Sequence, residues 1–109
     1  MQHYALLGER LGHSLSVPIH EAIFRHMGIQ ADYRLIEIPR GELAVRFPQL
    51  RQMLNGCNVT IPYKQEIMPL LDGMSDFARQ VGAVNTVSMA DDAAWGDNTD
   101  VAGFRAMLE

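Results

Sequence analysis

The sequence predicts an α/β fold: a three-layer α-β-α sandwich whose sheet is mostly parallel and carries one antiparallel element. Three observations carry this. Short apolar or alternating runs of strand type are separated by segments of helical period. The acidic pair Asp91-Asp92 lies between the last two runs and marks a hairpin. A length of 109 residues with 48% hydrophobic residues is one domain's worth of chain, with enough apolar surface for a core.

The elements follow in order. Residues 3–8 are an apolar run ending in glycine, as in a buried strand. Residues 11–16 are polar and read as a loop. From Ser16, Ile19, Ala22, Ile23 and Met27 recur at helical spacing, with Ser16 as N-cap, Pro18 in the first turn and Gly28 past the end. Residues 31–38 alternate loosely around Tyr33, Leu35, Ile36 and Ile38, a second strand closed by Pro39-Arg40-Gly41. Residues 42–54 have helical period but contain Pro48, so a break or two short helices is expected. Residues 56–60 form a third strand. Pro62 ends it and opens a helix running to about Leu71. Ser75 caps a short helix over 76–81, stopped by Gly82. Residues 83–89 and 93–96 make the hairpin, and Asn98 or Thr99 caps a last helix through Leu108.

Composition excludes several function classes. Lys+Arg total 9 against 13 Asp+Glu, a formal net charge of −4, whereas nucleic acid or an anionic membrane needs a basic face. The single cysteine, Cys57, allows no intramolecular disulfide and no cysteine-based metal cage; it reads as a small buried residue. No signal-peptide pattern and no apolar run near ~20 residues is visible, so a soluble cytoplasmic protein is expected. The seven methionines read as adaptable packing.

Four polar clusters fall on or just after strands: 12–16, 58–64, 85–86 and 96–100. In a parallel sheet several of them meet at one edge, where α/β sheets bind ligands. The set holds hydroxyls, carboxamides, one ammonium and one carboxylate. It suits a small polyhydroxylated ligand better than a phosphate. Ser14 and Ser16 precede a helix N-terminus, which is either an ordinary cap or a carboxylate site. Lys64 is the only lysine beside eight arginines. A surface lysine is the ordinary reading; one at a strand end can instead move protons if its pKa is lowered, which arginine cannot do. Asp100 either complements a helix dipole or pairs with Lys64 on a substrate hydroxyl.

Other patterns fail. His20 and His26 are six apart, not the four of a zinc helix, so no metal site is expected. Neither GxGxxG nor GxxxxGK[ST] occurs, so the chain carries no dinucleotide or P-loop fingerprint. Arg40, Arg46 and Arg51 read as a solvated face.

Taken together, Gly12-His13-Ser14-Leu15-Ser16 with Ile19-His20, the segment Gly56 to Lys64 (GCNVTIPYK), Gly82 to Val87 (GAVNTV) and Gly96-Asp97-Asn98-Thr99-Asp100 with Gly103 resemble shikimate dehydrogenases, specifically their N-terminal substrate-binding domain. The resemblance covers essentially the whole chain in order. It implies reversible NADP-dependent reduction of 3-dehydroshikimate to shikimate, in aromatic amino-acid biosynthesis. It further implies that Ser14 and Ser16 bind the substrate carboxylate and that Asn58, Thr60, Asn85 and Asp100 bind ring hydroxyls. Lys64 and Asp100 would be the catalytic pair, handling the proton while the nicotinamide transfers hydride. The pattern departs at Glu9-Arg10, Val17 and Glu21, which leaves quinate or an aminoshikimate open beside shikimate. On this resemblance residues 1–109 are the substrate domain, and the NADP-binding Rossmann domain is absent from the chain. The chain alone would then be inactive. A stand-alone shikimate- or quinate-binding module without catalysis is the competing expectation.

Overall fold

The strand-type runs assemble into one sheet in the computed structural model, which describes residues 1–12 and 16–99, with Ser16 described by its backbone. Among these residues six strands, β1 (Gln2–Gly8), β2 (Ala31–Glu37), β3 (Gly56–Val59), β4 (Gly73–Met74), β5 (Thr86–Ala90) and β6 (Ala93–Asp97), lie in the order β2-β1-β3-β5-β6-β4. Only β5 runs against the others, so the expected antiparallel element is this strand. Its hairpin to β6 turns at Asp91 and Asp92, both with positive φ (52° and 63°), the conformation a two-residue turn between twisted strands requires.

Side chains alternate across the sheet. Ala5, Leu7, Cys57, Val59, Val87 and Ala94 point to one side and are buried against Leu43, Phe47, Leu50, Tyr63, Ile67 and Ala78. Those partners come from α2 (Leu43–Met53), α3 (Tyr63–Glu66) with the residue after it, and α4 (Asp76–Val81). The opposite side carries Tyr4, Tyr33, Gly56, Asn58 and Thr86, and α1 (Ser16–Met27) packs there. That completes three layers.

Local signals act as the sequence predicts at several helix ends. Ser75 accepts a hydrogen bond from Ala78 N at 3.1 Å, and Gly82 closes α4 in the left-handed conformation (φ 78°). Gly28 ends α1 at φ 71°, with Gly28 N donating to Arg25 O and Ile29 N to Phe24 O, the paired bonds of a Schellman stop.

Three expectations are corrected, and the face of α1 that packs is identified. α2 is continuous through Pro48, because Leu43, Phe47 and Leu50 bury one stripe whose packing outweighs the lost backbone bond. The helix expected through Leu71 stops at Glu66 and gives way to a 3-10 turn, Met68–Leu70, because Pro69 has no N–H to continue the ladder. Strand β5 begins at Thr86 rather than at 83. The apolar stripe of α1 is not its packing face: Ile19, Ile23 and Met27 are 53%, 46% and 63% exposed. Instead, Phe24 packs on Tyr4 and His20 stacks on Tyr33, since aromatic rings offer more contact area to the sheet than the branched stripe beside them. The helix expected from Asn98 or Thr99 lies outside the described residues beyond Thr99. No helix among the described residues is long and apolar enough to cross a membrane.

Candidate functional site

Strands β1, β3 and β6 end at one edge of the sheet, and antiparallel β5 begins there. Register places Leu6, Asn58, Thr86 and Asp97 in one row across four strands. Backbone pairing continues past the strand ends. Thr60 N donates to Leu7 O, Val59 N to Asn85 O, and Asn85 N to Asp97 O. The segments around Asn58–Thr60, Asn85–Thr86 and Asp97–Thr99 are thereby brought together, although they are widely separated in sequence. Gly8 leaves room for Thr60 to approach. A Cβ there would lie 2.7 Å from Thr60 Cγ2 and 2.7 Å from Leu11 Cδ2.

Asn58, Thr86, Asn85 and Thr99 form one hydrogen-bonded network at this edge, with Asp97 beside it. Asn85, 8% exposed, accepts at Oδ1 from Thr99 N (2.9 Å) and from the Thr86 hydroxyl (3.0 Å), and donates from Nδ2 to Thr99 Oγ1 (3.1 Å). Its carboxamide therefore holds the backbone at Thr99, the residue before Asp100. Asn58, half-buried, directs Nδ2 toward Asn85 O and Thr86 Oγ1, each at 3.4 Å, and accepts at Oδ1 from the Tyr33 hydroxyl at 2.9 Å. Asp97 accepts from Ser75 Oγ and from Asn98 N, both at 2.7 Å.

Lys64 stands on the one-turn helix that follows β3. Tyr63, fully buried beside it, donates its hydroxyl to Ile38 O and so ties this helix to the end of β2. Lys64 O accepts from Val84 N at 2.8 Å, which joins the same helix to the segment leading into Asn85. The lysine side chain is half-buried. Thr60 is also half-buried and caps the turn, its carbonyl accepting from Tyr63 N.

Of the residues singled out from the sequence, Asn58, Thr60, Lys64 and Asn85 thus share this edge. Ser14 and Asp100 lie outside the described residues, and so does the side chain of Ser16. Tyr33 is a partner of Asn58 that the sequence does not reveal. Nothing local marks it, because the two residues are 25 apart in sequence and on strands separated by β1. Burial pushes the Tyr33 phenol up to about 12, so the hydroxyl remains a donor throughout the neutral range. Burial likewise pushes Cys57 up to about 12; its thiol faces the core and is chemically quiet.

A cleft of about 540 Å³ lies on the α1 side of the sheet, lined by His20, Tyr33, Asn58, Thr86 and Ser88 among others. Thr60, Lys64 and Asn85 are not part of its lining. Among the described residues the edge offers hydroxyl and carboxamide donors and acceptors with one ammonium, Lys64, and one carboxylate, Asp97, a composition that suits a hydroxylated ligand rather than a phosphate.

An α/β sheet with such an edge is a small-molecule substrate-binding domain. Residues 6–87 match the family described as the shikimate dehydrogenase substrate binding domain, and the chain belongs to that family. It is 42% identical over 109 residues to the NADP(+) shikimate dehydrogenase of Clostridium beijerinckii, covering 99% of this chain and 40% of that protein. Shikimate dehydrogenase 1 of Peptoclostridium difficile superposes with a TM-score of 0.93 at 36% identity, over 99% of this chain and 40% of that one. The Thermus thermophilus enzyme, solved in complex with shikimate, superposes with a TM-score of 0.93 at 34% identity, over 99% and 42% of the two chains. The chain spans about two fifths of the length of the curated relatives it matches.

Proposed function

We propose that this chain is the substrate-binding domain of a cytoplasmic, NADP-dependent shikimate dehydrogenase that interconverts 3-dehydroshikimate and shikimate. The observation that carries the reading is the convergence of Asn58, Thr60, Lys64 and Asn85 on one sheet edge in a chain of this family. Ser14 and Ser16 take the substrate carboxylate. Asn58, Thr60 and Asn85 read ring hydroxyls. Lys64 and Asp100 hold and move the proton at the reacting oxygen, for which lysine is suited because it can exist in both protonation states.

NADP supplies the hydride in this reaction. The described residues of this chain do not fit a dinucleotide. β1 leads into Glu9-Arg10 and β3 into the cis Ile61-Pro62 step, and neither offers the glycine-rich cradle a pyrophosphate needs. A Rossmann domain provides that wall.

Titration of this chain with shikimate is the direct test, with quinate as the comparison ligand. Saturable binding that shifts resonances at Asn58, Thr60 and Asn85 is expected, and absence of any response refutes the reading. In an enzyme containing this domain, Lys64→Ala should lower kcat far more than it raises KM, since a proton-transfer role is expressed in the transition state. A pure KM effect refutes that role.

A further inference from the structure

We propose that Tyr33 is a positioning residue that fixes which way the Asn58 carboxamide faces at the ligand-binding edge; the inference rests on the substrate-domain reading above. Asn58 is held from two directions. Tyr33 reaches across β1 from β2, and its hydroxyl donates to Asn58 Oδ1 at 2.9 Å. On the other side Nδ2 faces the Asn85 carbonyl and Thr86 Oγ1, each at 3.4 Å. A carbonyl only accepts, so the nitrogen end must point there. A flipped carboxamide would set Oδ1 against that carbonyl, acceptor to acceptor. Thr86 in turn spends its proton on Asn85 Oδ1 at 3.0 Å, which leaves its lone pairs to accept from Asn58. The network therefore has a direction, from Tyr33 through Asn58 and Thr86 to Asn85.

Tyr33 is itself fixed. The residue is 5% exposed and its ring stacks on His20, with centroids 4.1 Å apart and planes within 7°. His20 belongs to α1, whose first residue is Ser16. The same stack thus ties the helix that opens at Ser16 to the carboxamide at the strand edge. Since a buried phenol deprotonates only far above neutrality, the donor is present under all working conditions.

The test is a double-mutant cycle on this chain, with Tyr33→Phe, Asn58→Ala and the double variant, read by shikimate titration and by the Asn58 side-chain amide resonances. Tyr33→Phe should weaken shikimate about three- to tenfold, the worth of one hydrogen bond, and should shift the Asn58 Nδ2 resonances in the ligand-free chain. In the Asn58→Ala background it should add no further loss. An unshifted Asn58 amide, or the same loss of affinity with and without Asn58, overturns the proposal. If the wild-type chain binds no shikimate, the substrate-domain reading fails, and the amide comparison still decides this one. Should Tyr33→Phe not fold, 3-fluorotyrosine at position 33 replaces it; it retains the ring and alters only the donor strength, and must still shift the Asn58 amide.

Discussion

Asn85 is where binding and structure can be separated by experiment. Replacing it with alanine removes an acceptor used by Thr99 N and the Thr86 hydroxyl, and a donor to Thr99 Oγ1. The site is 8% exposed, so water replaces these partners poorly. At about 1 kcal/mol for each hydrogen bond, the three together come to about 3 kcal/mol. For a chain of this size that corresponds to a fall in Tm of about 13 °C. The assay is thermal unfolding followed by circular dichroism, paired with shikimate titration of the folded variant. Thr99→Val should destabilise less, and should be strongly non-additive with Asn85→Ala because the two side chains share their bonds. If Asn85→Ala unfolds within about 2 °C of wild type, a shift worth only about 0.5 kcal/mol, the reasoning is refuted. Asn85 would then act on the ligand alone.

The remaining predictions concern Gly8 at this edge and Cys57 in the core. Gly8→Ala places a methyl 2.7 Å from Thr60 Cγ2 and from Leu11 Cδ2. Leu11 can turn away but the branched Thr60 cannot, so denaturant unfolding should show a loss of about 1–3 kcal/mol and titration a weaker grip on shikimate; wild-type values in both would contradict the packing account. Cys57 should resist a thiol reagent at about pH 8 and react only on unfolding, because burial disfavours the thiolate. The folded thiol titrates higher than the unfolded one, so its stabilising contribution is complete below the ordinary value of 9.0 and is lost as pH rises toward about 12. Unfolding free energy should decline over that window, and Cys57→Ala should remove the part that begins near pH 9; an unchanged slope would place the effect on the buried phenols of Tyr33 and Tyr63, both also raised by burial.

Helix ends and turns were legible because their chemistry is local. Ser75 bonds Ala78 three residues on, Gly28 and Gly82 adopt a conformation glycine alone reaches cheaply, and Asp91-Asp92 reverses the chain within two residues. Pro48 misled for the complementary reason: its local penalty is real, but Phe47 and Leu50 on either side are anchored in a core that one sequence window does not contain. The spacing of Ile19, Ile23 and Met27 announced the helix but not its packing face, since periodicity reports that a helix is amphipathic and not which neighbours it meets. Strand β4 left no signal at all. It is two residues long, and it exists because Gly73 leaves room for the Trp95 ring, which a Cβ would approach to 2.6 Å.

What the sequence by itself determined is the alternation of strands and helices, the family, and the placing of Asn58, Thr60 and Lys64 on and after the third strand. Only the tertiary structure decided what those side chains do to one another: that Asn85 spends its carboxamide on Thr99, 14 residues away, and that Tyr33 holds Asn58 from 25 residues away. The reason is the reach of the forces. A hydrogen bond acts over about 3 Å and in one direction, so its partners are set by strand order and register. Strand order arises from burial summed over the whole chain, which no local pattern of residues encodes.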